Sequence, residues 1–376
     1  MEEWKKYKIS DLTILKNGKK RPSDIGQFAV YGGNGVMDYT NVYNAENTII
    51  VGRVGAYCGN VYHCSGKCWV SDNAIAVSAN DLIDIKYLFY LMSSLDLHHQ
   101  HIGGAQPLIT QDIIGGVDVS IPSLETQKKV TSILSSLDSK IELNRRINDN
   151  LEQQAQALFK SWFVDFEPFR NGKFVDSELG MIPEGWKVVQ LGDVTIQMKD
   201  RVGERSDVKV LSPVSTGELL LSEEYFTKQV YSEDISKYIL VKPNMFAYNP
   251  ARVNIGSIGR NKNNFDGCVS PVYVVFSCEE NYHYFFDLFR MLPSFKEEVA
   301  LRAIGGVRQT LKYSDLSMIK TIYPPLYIVL EFNKIMEKLL NIQKMTSMEI
   351  LNLAEIRDTL LPRLMSGELK INDLNS

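Results

Sequence analysis

Hydrophobic and polar positions along this chain fall into two textures, and each texture occurs twice. Up to about Ser120 the apolar residues come in short bursts. Residues 28–31, 48–51 and 73–77 predict strands, set apart by glycine-rich turns, and residues 84–95 predict a helix. After Ile121-Pro122 the spacing changes to the three-and-four alternation of a heptad. Leu134, Leu137, Ile141, Asn144, Asn148, Leu151, Ala155, Leu158 and Trp162 take successive a and d positions, and Ser123 stands where a helix N-cap belongs. This predicts a helix running to about Phe163 with its seam buried against a partner.

The same sequence of textures then returns. Pro168 and Arg170-Asn171-Gly172-Lys173 end the helix, residues 209–214, 238–241 and 269–276 predict strands, and residues 282–292 predict a helix. A second long helix follows Tyr323-Pro324-Pro325 and stops before Pro362 or at Gly367. Its seam is less regular: Ile335, Leu339, Ile342, Leu353, Ile356 and Leu360 are apolar, but Thr346 and Glu349 interrupt them. Each helix would be roughly 60 Å long at about 1.5 Å per residue. Antiparallel pairing of the two buries both seams, at about 1.5 to 3 kcal/mol per aliphatic residue. Asn144 and Asn148 reduce that gain and suit a seam whose register must be fixed.

Individual residues support a duplication. Trp4-Lys5 with Asp11-Leu12-Thr13 returns as Trp186-Lys187 with Asp193-Val194-Thr195. Arg53-Val54 and Val70-Ser71 return at equal separation as Arg252-Val253 and Val269-Ser270, and Ile102-Gly103-Gly104 as Ile304-Gly305-Gly306. The expected organisation is a mixed domain at 1–121, a long helix at 122–167, a linker at 168–182, a second mixed domain at 183–322, and a second long helix with its tail at 323–376. The fold class is α/β in the α+β sense, with a pseudo-twofold internal repeat. Two similar but unequal halves suggest a protein that reads two different things at a fixed separation.

Composition adds limits. The 376 residues are 44% hydrophobic, enough for two or three domains with proper cores. A net charge of -4 argues against wrapping nucleic acid by bulk electrostatics and leaves room for a local basic face. No apolar run approaches the roughly 18 residues that span a bilayer, and Met-Glu-Glu-Trp-Lys-Lys is no signal peptide, so a cytoplasmic location is expected. Five cysteines without framework spacing fit reduced thiols.

The candidate chemistry lies in polar, basic and aromatic residues among glycines. In the first half these are Lys19 and Arg21, Asn34 within Gly32-Gly33-Asn34-Gly35, then Arg53, Tyr57 and Asn60, then Gln106. In the second they are Tyr248, Asn249, Arg252, Asn254, Ser257 and Arg260, then Arg308 and Gln309. Arg, Asn and Gln can pair two-pronged with guanine or adenine edges, while glycine lets a loop backbone approach phosphate. Ordinary turns with solvated tips are the competing reading. Cys58, His63, Cys64 and Cys68 lack a second ligand pair for structural zinc. The Asn34 turn lacks the Gly-Lys-Ser/Thr ending of a phosphate loop. Asn249-Pro250-Ala251-Arg252 and Tyr323-Pro324-Pro325-Leu326 each miss part of an amino-methyltransferase tetrad. No catalytic or metal site is expected.

The helix end Leu158-Phe159-Lys160-Ser161-Trp162-Phe163, the start Ile182-Pro183-Glu184-Gly185-Trp186 and the end Leu360-Leu361-Pro362-Arg363-Leu364-Met365-Ser366-Gly367-Glu368-Leu369 resemble the specificity subunit of type I restriction-modification enzymes, over essentially the whole chain. The resemblance implies two target-recognition domains reading the halves of a split, asymmetric DNA sequence, spaced by antiparallel helices. It implies two modification subunits that bring S-adenosylmethionine and methylate adenine, and two restriction subunits that bring ATP and magnesium for translocation and cleavage. No cofactor would reside in this chain. Two alternatives stand beside it: a free-standing bipartite DNA-binding regulator, and a DNA methyltransferase with an unrecognised site.

Overall fold

A computed structural model describes residues 4–103, 106–226, 228–303 and 310–369 of the chain. It divides into two compact units, one made of Met1–Arg146 with Thr346–Ser376 and the other of Ile147–Met345. Both long helices, Leu124–Phe163 and Leu326–Met365, contribute to both units.

The first unit holds strands β1 (Lys5–Lys8), β2 (Thr13–Asn17), β3 (Phe28–Gly32), β4 (Gly35–Thr40), β5 (Ala45–Gly52), β6 (Val61–Val70), β7 (Ala74–Ala79) and β8 (Asp118–Ile121). β1 pairs with β8, and the rest form a six-stranded sheet in the order β2-β7-β5-β6-β3-β4, antiparallel except between β3 and β6. Ile49, Ile50 and Val51 are fully buried, as a continuous apolar run in a sheet covered on both faces should be. The helix Ile85–Ser94 packs Tyr87, Leu88 and Leu91 into the same core, and Asp84 caps it by accepting from the backbone N–H of Lys86 and Tyr87.

The second unit repeats this topology with interruptions. Its strands are β9 (Phe174–Val175), β10 (Ile182–Pro183), β11 (Lys187–Gln190), β12 (Thr195–Met198), β13 (Lys209–Pro213), β14 (Leu219–Leu221), β15 (Ile239–Val241), β16 (Phe246–Tyr248), β17 (Ile258–Arg260), β18 (Gly267–Val269), β19 (Val274–Cys278) and β20 (Lys320–Tyr323). β11 pairs with β20 as β1 does with β8. The order β12-β19-β16-β17 matches β2-β7-β5-β6, and β13 runs parallel to β18 as β3 does to β6. The long strands β5 and β6 are each broken in two here, into β15 with β16 and β17 with β18. Buried Asn261 stitches the break: its Nδ2 donates to the carbonyls of Val241 and Phe265 at 2.8 and 3.1 Å. The single strand expected over 269–276 is two strands, because Tyr273 N–H turns back to the carbonyl of Ser270.

Within each unit the two long helices run antiparallel. In the first, Asn144 Nδ2 donates to Glu349 at 2.8 Å, Arg357 pairs with Asp138 at 2.9 Å, and Leu134 shares the core with Leu364. In the second, Phe163 meets Phe332 and Phe285 with ring centroids 4.9 and 5.2 Å apart. Of the expected first seam, Leu134, Ile141, Asn144, Leu151 and Ala155 are buried, and Leu137, Asn148, Leu158 and Trp162 are half-buried. Past Leu151 the seam steps by four, so Phe159 and Phe163 take the inside positions beside Ala155. The second seam needs more correction. Ile342 and Ile356 are 46% and 48% exposed, Ile335, Leu339, Leu353 and Leu360 are half-buried, and the deeply buried residues are Val329, Phe332, Met336, Leu364 and Met365 at the two ends. The helix also continues through Pro362 and stops at Gly367, whose φ of 73° breaks the helical conformation.

Candidate nucleic-acid interface

In the first unit the chain leaves β5 at Gly52, makes the loop of Arg53 to Asn60, and returns into β6. Gly52 N–H donates to the carbonyl of Asn60 and Gly59 N–H to that of Gly52, both at 2.8 Å. Gly59 takes a φ of 85°, and a Cβ there would meet the backbone of His98 at 2.5 Å. Two further segments close on this loop. The turn at Gly33 and Gly35 lies against it, since a Cβ on Gly52 would stand 2.9 Å from the Gly33 carbonyl. The Gln106 segment is tied in by Gly55 N–H to the carbonyl of Pro107 at 3.0 Å and by Ile109 N–H to that of Arg53 at 2.9 Å. Asn34, Arg53, Tyr57, Asn60 and Gln106, scattered over the sequence, are thus carried by one loop cluster.

These residues differ in their readiness to bind. Asn34, Tyr57 and Gln106 are exposed. Asn60 Nδ2 donates to the Tyr62 hydroxyl at 3.2 Å. Arg53 is half-buried, and its Nε is enclosed without an acceptor among the described residues. Lys19 is exposed at a bridge to Ser71, whereas exposed Arg21 is paired with Asp38.

In the second unit Asn249 N–H donates to the carbonyl of Ser257 at 3.1 Å, Ile255 N–H to that of Arg252 at 3.1 Å, and Leu311 N–H to that of Pro250 at 3.1 Å. This pattern aligns Asn249 with Gly52 and Gly256, at a φ of 93°, with Gly59. It corrects the sequence match: the counterpart of Arg53 is Pro250, and that of Arg252 is Gly55. Val70-Ser71 and Val269-Ser270 do correspond, each closing the same turn through Ala74 or Tyr273 N–H. Arg252 and Asn254 are exposed, and the Arg252 side chain has no hydrogen bond or ion pair among the described residues.

Three expected contacts lie inside the unit instead. Tyr248 is fully buried and donates to the carbonyl of Leu311; Ser257 is buried and donates to the carbonyl of Pro213 at 2.6 Å. Arg260 is 5% exposed, bound through Nε to Asp287 at 2.9 Å and through a terminal nitrogen to Asn244 at 2.6 Å, with its guanidinium over the Tyr284 ring. Arg290 engages the other oxygen of Asp287 and donates to the carbonyl of Ile258 at 2.9 Å. Burial alone would raise the Asp287 carboxyl, but Arg290, Arg260 and Lys262 outweigh it and hold the group ionised below the carboxylate range. This triad braces the underside of the loop and takes no part in its outer surface. Arg308 and Gln309, with the Ile304-Gly305-Gly306 match, lie outside the described residues.

Beside Arg252 opens a cleft of about 470 Å³ that the sequence reading did not foresee. One wall comes from the connection between β14 and β15, through Ser222, Tyr225, Phe226, Val230, Tyr231 and Tyr238, where the first unit has only residues 41–44. The signal was the pair Tyr225-Phe226, aromatic residues in a polar stretch at the end of the single helical turn Ser222–Tyr225, where they are 46% and 36% exposed. Among the described residues no group of three or more His, Cys, Asp or Glu is placed to hold a metal, and no helix is long and apolar enough to cross a membrane.

The sequence profile of a family described as a type I restriction modification DNA specificity domain matches residues 1–153. The type I restriction enzyme MjaIX specificity subunit of Methanocaldococcus jannaschii is 30% identical over 318 residues, covering 77% of this chain and 70% of that protein. The HindI specificity subunit of Haemophilus influenzae is 28% identical over 333 residues, covering 71% and 72%. A crystal structure of a type I restriction-modification S subunit from M. genitalium has the same fold, with a TM-score of 0.58 at 17% identity over 97% of this chain and 96% of that one. The chain belongs to the family of type I restriction enzyme specificity subunits.

Proposed function

We propose that this specificity subunit reads a split, asymmetric DNA sequence, one half with each unit, and directs adenine methylation and restriction carried out by partner subunits. A specificity subunit is the recognition component of its system and not the catalytic one. One observation carries the bipartite reading: the same strand-loop-strand device occurs in both units and presents different side chains at matching positions, Arg53 against Pro250 and Gly55 against Arg252. A duplicated reader of one sequence would have kept them alike.

The long helices supply the surface for two modification subunits. On the second helix Met345, Met348 and Leu351 are 71%, 57% and 70% exposed, an apolar stretch that water alone covers poorly. In this assembly S-adenosylmethionine sits on the modification subunits, and ATP and magnesium on two restriction subunits. The test is to express the chain with its modification subunit in a methylation-free host and map methylated adenines. A bipartite motif with two unlike halves, lost when either unit is deleted, is the expected result; a continuous motif, or methylation without this chain, would refute the reading.

A further inference from the structure

We infer that the cleft beside Arg252 is a nucleobase site, in which one base, unstacked from its neighbours, lies against the rings of Tyr225, Phe226 and Tyr231. The volume, about 470 Å³, is in the range of small-molecule sites and far too small to admit a duplex, so whatever enters is a single group. Tyr225, Phe226, Tyr231 and Tyr273 line it, and the first two are 46% and 36% exposed. Exposed rings facing a cleft favour a planar partner, because every base offers a π-face whatever its edge. The edge chemistry is equally one-sided. Arg252 is the one charged residue among the described residues lining the cleft, its side chain makes no hydrogen bond or ion pair among them, and Asn249 and Ser215 line the same cleft. A cation with amide and hydroxyl neighbours suits the acceptors of a base edge or of its attached phosphate, and does not suit a cationic or purely aliphatic ligand.

The position of the cleft sharpens the assignment. It is bounded by the loop that begins at Asn249, which the brace of Asp287, Arg290 and Ile258 holds in place, so a base held there is read by the same loop as its neighbours. The matching connection in the first unit, residues 41–44, is too short to build such a wall. The two units therefore differ in mode as well as in side chains: of the two, only the second receives an unstacked base in a cleft of its own. The DNA source of that base rests on the function proposed above; a free mononucleotide would satisfy the same chemistry.

The test uses the full chain assembled with its modification subunits and the mapped target duplex, with 2-aminopurine placed in turn at each position of the second half-site. Beyond the adenine that the modification subunit itself extrudes for methylation, one further position should brighten severalfold on binding, as an unstacked base does. The double variant Tyr225→Leu with Phe226→Leu keeps the apolar wall without the rings. It should abolish that signal and weaken binding about tenfold, while reading of the first half-site is unchanged. AMP, GMP, CMP and TMP are titrated in parallel. Saturable mononucleotide binding that the double variant removes, with no further brightening in DNA, would assign the site to a free nucleotide. If mononucleotides bind but no sequence-specific DNA binding exists, the cleft stands and the proposed function falls. Specific DNA binding with neither signal would overturn the nucleobase site alone.

Discussion

Arg53 and Arg252 occupy different corners of a shared loop design, so their removal should have separable effects. Arg53→Ala should alter discrimination at one half-site and Arg252→Ala at the other, each by about 1 to 3 kcal/mol at a base whose edge is lost. Binding measured against single-base target variants checks this. Uniform weakening on every sequence, with a shallower salt dependence, would make them phosphate contacts instead. Arg260 sits eight residues from Arg252 and does a different job. Asp287→Asn would leave Arg260 and Arg290 buried without their counter-charge, and should cost about 3 to 5 kcal/mol of unit stability. Thermal or denaturant unfolding reads this directly, and a loss under about 1 kcal/mol would show that the triad is no brace. Sequence alone could not separate these arginines. Both stand among polar and glycine residues, and what distinguishes them is Asp287, a carboxylate from a distant helix that only the fold brings to 2.9 Å. The exposed loop positions of Asn34, Tyr57 and Gln106 were legible because glycine spacing marks turns, whereas Tyr248 and Ser257 were misplaced because polar atoms that bond buried carbonyls look identical in sequence to polar atoms on an open surface.

The long helices were the most legible elements and also show the limit of periodicity. Heptad spacing located Leu134, Ile141 and Leu151 inside, since a seam that must be covered leaves its mark every three or four residues. It failed at Ile342 and Ile356, which are 46% and 48% exposed, because an apolar residue toward the outside of a helix can fall on the same spacing as one facing the sister helix. The strands fared less well: β6 carries His63, Ser65, Gly66 and Lys67 within ten residues and has no clean alternation, yet backbone pairing on both sides holds it. Asn144 is the seam residue whose role is open to a direct test. Its Nδ2 reaches Glu349, while its Oδ1 is buried with no hydrogen-bond partner among the described residues. Asn144→Leu should therefore leave stability within about 1 kcal/mol of the parent or raise it, whereas Leu134→Ala should cost about 2 to 5 kcal/mol. A loss above about 2 kcal/mol for Asn144→Leu would mean that the amide contributes more than it costs.

At the scale of the whole molecule, the proposed function requires that something set the distance between the two half-sites, and the long helices are the elements common to both units. If they do so, the spacing should follow their length. Four residues inserted after Asn150, matched by four near Gln343 so that the facing segments lengthen together, would extend the pair by about 6 Å at about 1.5 Å per residue. Leu151 lies opposite Leu339, Leu340 and Gln343, which makes these the corresponding points of the two helices. Against a rise of about 3.4 Å per base pair, the gap between half-sites should grow by one or two base pairs while the bases read in each half remain the same. The insertion also rotates one end relative to the other by about 40°, close to the roughly 36° twist per base pair implied by 10 to 10.5 base pairs per turn, so a one-base-pair increase matches the added rotation. Methylation mapping of the variant decides the matter. Altered half-site letters would place specificity partly in the helices, and an unchanged gap in a folded, active complex would show that the spacing is set elsewhere.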